Sequence, residues 1–98
     1  MSDDVTKSPA ERRRARLRFR SERRGFKEVD LIFGAFAAEF LPDLAESELD
    51  QFEALLAAPD QDVFAWLQNQ APVPPEFDTP VFAKLKSLCR RKNPTWNV

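Results

Sequence analysis

The sequence predicts an all-α fold, a small single-domain bundle of about five helices. In several segments the apolar residues recur every three or four positions, which is the spacing of one buried helix face. No segment alternates with a period of two for long enough to form a strand. The chain has 98 residues and only two glycines, so its length allows one modest core and its composition disfavours a turn-rich β-barrel.

The first predicted helix begins after Ser8 and runs to about residue 23 in an arginine-rich stretch. Ser8 can cap the helix, Pro9 suits its first position, and Glu11 can close a capping box. Gly25 then supplies the permissive backbone that ends it. The few apolar residues that could form its narrow buried stripe are Ala15, Leu17 and Phe19.

The second predicted helix, from Lys27 to Phe40, is expected to be the central element of the core. Pro42 ends it. The residues whose three- and four-residue spacing makes one apolar face are Phe26, Val29, Phe33, Phe36 and Phe40. Leu31 and Ile32 are expected to widen this face.

Two shorter helices follow, each with a candidate cap. Ser47 can cap a third helix from Glu48 to Ala57, and Asp60 or Asp62 can cap a short fourth helix. The predicted core residues of the third helix are Leu49, Phe52, Leu55 and Leu56. Those of the fourth are Val63, Phe64, Trp66 and Leu67.

A proline-rich linker over residues 71–75 leads to the last predicted helix, in which Thr79 is the N-cap and Pro80 the first residue. The inner face of this helix is formed by Val81, Phe82, Leu85, Leu88 and Cys89. The predicted organisation is a disordered leader, a helical domain and a loose tail, at residues 1–8, 9–91 and 92–98.

The residue inventory argues against an enzyme. The chain has no histidine and one cysteine, which excludes the commonest general base, an intrachain disulfide and nearly every zinc enzyme site. It has no glycine-rich phosphate loop, so we expect no stably bound cofactor, and no metal site. No apolar run is long enough to span a membrane.

Charge is distributed unevenly along the chain. Residues 1–30 carry a net charge of +4, residues 31–80 carry −10, and residues 81–98 carry +5. Such a distribution suits a charged partner surface held in one orientation. Packing of the two basic segments against the acidic middle explains it equally well.

The basic run is also a candidate nucleic-acid surface, because arginine side chains suit phosphate. Its members are Arg12, Arg13, Arg14, Arg16, Arg18, Arg20, Arg23 and Arg24. The isoelectric point of about 5.5 and the acidic middle disfavour this function. It stays as the alternative, an arginine-rich helical adaptor that binds nucleic acid.

Three further features have a structural and a functional interpretation. Gly25 would let the backbone approach another surface closely, beside the charges of Arg24 and Glu28, although a helix end followed by an ordinary ion pair explains the same residues. Asp60 and Asp62 are better explained by the helix N-terminus than by a cation. Cys89 is expected to be a small buried apolar residue.

The segment Arg24-Gly25-Phe26-Lys27-Glu28 resembles the RGxxE signature of the SdhE-type FAD assembly factors, also called succinate dehydrogenase assembly factor 2. The resemblance continues at Leu55-Leu56 and at Asp60–Leu67, and it covers about residues 12–90. Phe26 stands where the family often has Met.

The resemblance implies a small helical chaperone, and not an enzyme, that binds the flavoprotein subunit of succinate dehydrogenase and, in bacteria, of fumarate reductase. It would promote covalent attachment of FAD, which is the partner's cofactor. The implied partner-binding residues are Arg24, Gly25, Phe26, Glu28 and Asp30. Neither nucleic-acid binding nor membrane insertion is expected. The short polar N-terminus, with Asp3 and Asp4, leads us to expect a bacterial cytoplasm rather than a mitochondrial matrix.

Overall fold

The computed structural model describes residues 8–21 and 26–92, and within these ranges the protein consists of helices without a strand. The helices are α1 (Pro9–Ser21), α2 (Lys27–Phe40), α3 (Glu46–Ala57), α4 (Asp60–Leu67) and α5 (Pro80–Lys92), with short 3-10 helices at Leu41–Asp43 and Pro75–Phe77. The all-α prediction is confirmed, including both ends of α2. Most of the predicted leader and tail, residues 1–7 and 93–98, lies outside the described residues.

The predicted starts of the first and last helices are confirmed by their capping hydrogen bonds. Ser8 Oγ accepts the backbone N–H of Glu11 at 3.1 Å, and Glu11 Oε1 accepts the N–H of Ser8 at 2.9 Å. Thr79 Oγ1 accepts the N–H of Phe82 at 3.2 Å in the first turn of α5. These bonds satisfy donors that have no partner within the helix.

The third helix starts earlier than its sequence predicts, at Glu46. Ser47 therefore lies inside the first turn, and the prediction that it caps the helix is wrong. The cap position is Ala45, whose backbone N–H donates to Glu48 Oε1 at 2.9 Å. This hydrogen bond, together with Lys84, lowers the pKa of the Glu48 carboxyl from its ordinary value.

The fourth helix also differs from its predicted start. Pro59 occupies the cap position in an extended conformation, with φ −59° and ψ 136°, so the prediction that Asp60 or Asp62 is the N-cap is wrong. Both aspartates lie in the first turn instead. A negative charge in the first turn is stabilised by the positive end of the helix.

An aromatic contact between α2 and α3 forms the centre of the core. Phe33, Phe36 and Phe52 are fully buried. The Phe52 ring stacks on Phe36 at a centroid distance of 5.1 Å and meets Phe33 edge-on at 5.8 Å. Because α1, α4 and α5 also pack against α2, this helix is the central element, as its sequence predicts.

Two apolar residues that were expected to be buried face solvent. Leu31 of α2 is 65% exposed and Phe19 of α1 is 59% exposed, so the predictions that Leu31 widens the core face and that Phe19 belongs to the buried stripe are wrong. The helices that pack against α2 cover the side that carries Phe33 and Phe36, and they leave the side of Leu31 exposed. Helix α1 contributes only Leu17 and Ser21 to the interior.

The basic ends of the chain pack against its acidic middle. Arg13 pairs with Asp50 at 2.5 Å and with Glu53 at 2.9 Å, and these two acceptors raise its pKa. The other ion pairs of this kind join Arg20 to Glu53, Lys84 to Glu48 and Arg91 to Glu39. The packing explanation for the uneven charge is therefore supported.

A second polar contact ties α1 to the end of α2. The guanidinium of Arg14 donates to the carbonyl oxygen of Leu44 at 2.6 Å and to that of Leu41 at 3.3 Å. Both carbonyls belong to the turn after α2, where the Leu41 carbonyl also accepts the backbone N–H of Leu44 at 3.3 Å. Arg13 and Arg14 together hold α1, whose own apolar stripe is narrow.

We expect Phe33→Ala to lower the free energy of unfolding by about 3–5 kcal/mol, because it empties a fully buried site beside Phe52. Urea unfolding followed by circular dichroism measures the effect, and Phe33→Leu gives a milder change if the alanine variant does not fold. Leu31→Ala is the matched control, since this exposed side chain lies on the same helix. Equal midpoints for Phe33→Leu and the unsubstituted protein would contradict the core assignment.

We expect Arg14→Met to lower the free energy of unfolding by about 1–2 kcal/mol, because it removes two charge-assisted hydrogen bonds at a half-buried position and keeps the length of the side chain. Arg16→Met, two residues away on the exposed side of α1, should change it by less than about 0.5 kcal/mol. Chemical denaturation of both variants measures the difference. Equal free energies of unfolding for the two variants would show that the hydrogen bonds from Arg14 to the Leu41 and Leu44 carbonyls do not stabilise the fold.

Candidate partner-binding site

Three of the five predicted site residues lie at the beginning of α2. Phe26 immediately precedes the helix, and Glu28 and Asp30 lie in its first turn. Arg24 and Gly25 lie outside the described residues, so their assignment to the site stays a prediction. The described part of the site is thus one helix start with an aromatic and two acidic side chains.

Phe26 is held in place by both its backbone and its ring. It adopts an extended conformation, with φ −109° and ψ 106°, and its carbonyl oxygen accepts the N–H of Asp30 at 2.8 Å. Its half-buried ring lies 5.1 Å from the ring of Phe64 in α4. One side of the Phe26 ring therefore supports the fold, which fixes where the first turn of α2 points.

Glu28 differs from its neighbours because its carboxylate faces solvent. The side chain is exposed, and it forms no hydrogen bond or ion pair with another residue of the two described ranges. The next residue, Val29, is fully buried and anchors the turn. Asp30 is only half-exposed. Glu28 is thus a carboxylate on a rigid helix, with its hydrogen-bonding capacity available to another molecule.

An exposed apolar residue next to Glu28 was missed as a candidate site residue. Leu31 lies one turn after Glu28 on the solvent side of α2, opposite Val29 and Phe36. The sequence spacing could have identified Leu31, since residues three apart, such as Glu28 and Leu31, lie on the same face of a helix. The outer face of α2 therefore presents a carboxylate followed by an apolar side chain, a combination suited to a protein partner.

The second segment that carries the family resemblance, Asp60–Leu67, contacts the site through one side chain. Phe64 contacts Phe26, as described above, while Leu67 is fully buried and Trp66 is 7% exposed with its ring 4.9 Å from that of Phe77. The expectation that Trp66 belongs to the core is confirmed. Asp60–Leu67 therefore belongs to the core and contacts the start of α2 through Phe64.

The described residues were compared with the requirements of a metal site and of a membrane span. Over residues 8–21 and 26–92 no group of three or more His, Cys, Asp and Glu side chains could hold a metal ion. Cys89 is fully buried, as expected from its place on the inner face of α5. None of the described helices is long and apolar enough to cross a membrane.

The arginines of α1 are largely committed to the protein itself. Arg13 and Arg20 pair with carboxylates of α3, and Arg14 binds backbone carbonyls. Guanidinium groups that neutralise internal acceptors contribute little to a phosphate-binding surface, which gains affinity from several uncompensated cations. The geometry therefore disfavours the nucleic-acid alternative.

Comparison with known proteins identifies the family. The family model described as flavinator of succinate dehydrogenase (Sdh5) matches residues 15–89. Succinate dehydrogenase assembly factor 2, mitochondrial, from Dictyostelium discoideum is 39% identical over 83 residues, covering 85% of this chain and 59% of that protein. The relative from Yarrowia lipolytica is 37% identical over 86 residues, covering 84% and 59%. Assembly factor 2-A from Drosophila mojavensis is 39% identical over 80 residues, covering 80% and 51%.

The names of these relatives correct one expectation. All three are designated mitochondrial, so the prediction of a bacterial cytoplasm is wrong and a mitochondrial location is favoured. That prediction depended on the charges of Asp3 and Asp4, and two acidic residues do not specify a compartment. The chain spans between half and three fifths of the length of the curated relatives it matches.

The comparisons also bear on whether the chain is an enzyme. The family description and the names of the relatives designate assembly factors, a helper role that fits the prediction of a protein that is not an enzyme. The match extends over most of the chain. It includes all of α2, α3 and α4 and nearly all of α5. The chain therefore belongs to the flavinator of succinate dehydrogenase family of assembly factors.

Proposed function

We propose that this protein binds the flavoprotein subunit of succinate dehydrogenase and promotes covalent attachment of FAD to it. The observation that carries the proposal is the exposed carboxylate of Glu28, which is the last residue of the RGxxE signature and has no partner within the described ranges. The names of the relatives support a mitochondrial setting. Fumarate reductase flavoprotein is a second target that the resemblance implies.

The proposed mechanism is positional, because the chain offers no group for the chemistry itself. It contains no histidine, so the residue that becomes linked to the flavin must come from the partner. Holding a reacting pair in a near-attack geometry lowers the barrier without any catalytic group from the helper. We propose that the assembly factor holds the immature flavoprotein so that FAD and the acceptor histidine stay aligned.

Each site residue has a distinct role in this proposal. Glu28 accepts hydrogen bonds from donors of the flavoprotein, and Arg24 binds an acceptor there. Gly25 permits close approach of the two backbones. Phe26 packs on Phe64 and keeps the start of α2 rigid, so less conformational entropy is lost on binding. Asp30 assists from the same helix turn.

The chain itself is proposed to hold no FAD stably, because FAD remains the cofactor of the partner. The two pockets found along α1 are open grooves lined mainly by arginine and alanine side chains. Sites for a molecule of this size are normally concave and enclose most of the ligand. These two open grooves therefore do not suit a cofactor of the size of FAD.

We expect Glu28→Ala to abolish most covalent flavinylation of the partner while the helical fold and its stability are retained, because the side chain is exposed. The assay is the flavin fluorescence of the flavoprotein band in a denaturing gel, with each variant as the sole assembly factor. Gly25→Arg should cause the same loss by blocking close approach.

Glu46→Ala is the matched control, since Glu46 is also an exposed carboxylate in the first turn of a helix. It should leave flavinylation unchanged. Normal covalent flavin with Glu28→Ala, at the same soluble level as the control, would refute the role assigned to Glu28. Loss with Glu46→Ala as well would show that the assay reports general surface charge.

A further inference from the structure

We propose that the outer face of α1, formed by Arg16 and Phe19, is a second docking surface for the flavoprotein, which contributes an acidic patch that surrounds an apolar side chain. This inference rests on the proposed function for the identity of the partner. It concerns a surface separate from the RGxxE signature, on the preceding helix.

The outer face of α1 contains an open groove of about 430 Å³. The residues that line it are Arg12, Ala15, Arg16, Phe19 and Arg20. Their spacing of three and four residues places them on one side of the helix, away from the buried Leu17 and Ser21. Phe19 is 59% exposed, so an aromatic ring forms part of the wall of a groove rimmed by guanidinium groups.

Arg16 carries a positive charge that no carboxylate of the described residues compensates. It is exposed and forms no ion pair or hydrogen bond with any residue in the described part of the chain. Arg13, three residues earlier, is compensated by two carboxylates of α3. A cationic groove with an uncompensated guanidinium is complementary to an acidic surface.

The exposed ring beside this charge favours a protein partner. A single exposed apolar residue is ordinary, but aromatic and arginine side chains together are the residues that most often contribute binding energy at protein interfaces. A nucleic acid would instead require several uncompensated cations, whereas Arg13, Arg14 and Arg20 bind groups of the protein.

The groove is too small to hold a partner alone. Stable complexes bury roughly 800 Å² on each protein, which exceeds what one face of a 13-residue helix with a single groove provides. Helix α1 ends at Ser21, three residues before Arg24, so the groove and the RGxxE signature follow one another along the chain. In the proposal, the groove therefore adds to the contact that the partner makes at the start of α2.

The test is the affinity of the full chain for flavoprotein subunit that lacks covalent flavin, measured by isothermal titration calorimetry at several salt concentrations. We expect Arg16→Gln and Phe19→Ser each to weaken binding about tenfold, which corresponds to about 1.4 kcal/mol. Arg16→Gln should also reduce the salt dependence of binding. Arg90→Gln is the matched control: Arg90 is an exposed cation of α5, and its removal should leave the affinity within about twofold of the original.

Four results would decide between the possibilities. Weakened binding by both variants with an unchanged Arg90→Gln supports the second surface. Unchanged binding by both variants overturns it, while the proposed function stands if the unsubstituted chain still binds. No binding by the unsubstituted chain overturns both. Tight binding of random duplex DNA at physiological salt, lost in Arg16→Gln, assigns the groove to nucleic acid and also overturns the proposal.

Discussion

The contact of Phe52 with Phe33 and Phe36 is the interaction on which the rest of the structure depends. It joins α3 to the central helix α2 through rings 5.8 and 5.1 Å apart, and it determines which side of α2 faces inward. Rotation of α2 by half a turn would bury Glu28 and expose a phenylalanine, at a cost of several kcal/mol. The solvent-facing position of the candidate site is therefore a consequence of core packing.

Electrostatics determines the position of α1 in a different way. This helix has little apolar surface to bury, and Arg13 and Arg14 attach it through carboxylates of α3 and carbonyls after α2. Exposed ion pairs contribute little individually, but here they select one orientation of an amphipathic helix whose apolar stripe is narrow. In that orientation the side chains of Arg16 and Phe19 are exposed.

The composition and the fold together suit an assembly factor. A chain without histidine cannot supply the usual general base, whereas a rigid helical bundle can position another protein at little entropic cost. The start of α2 is held by Val29 in the core and by the ring of Phe26 on Phe64. Membership of the flavinator family is consistent with the proposed positional role.

The sequence by itself determined the helical class, both ends of α2, the caps at Ser8 and Thr79, and the family to which the RGxxE signature belongs. These features depend on local hydrogen bonds and on the period of apolar residues, which are properties of short segments. Only the tertiary structure decided that Leu31 and Phe19 face solvent, because the burial of an apolar side chain depends on which neighbouring helix covers it. The starts of α3 and α4 were likewise decided by competing interactions: the Glu48 carboxylate binds the N–H of Ala45, and Pro59 fixes the extended backbone before α4.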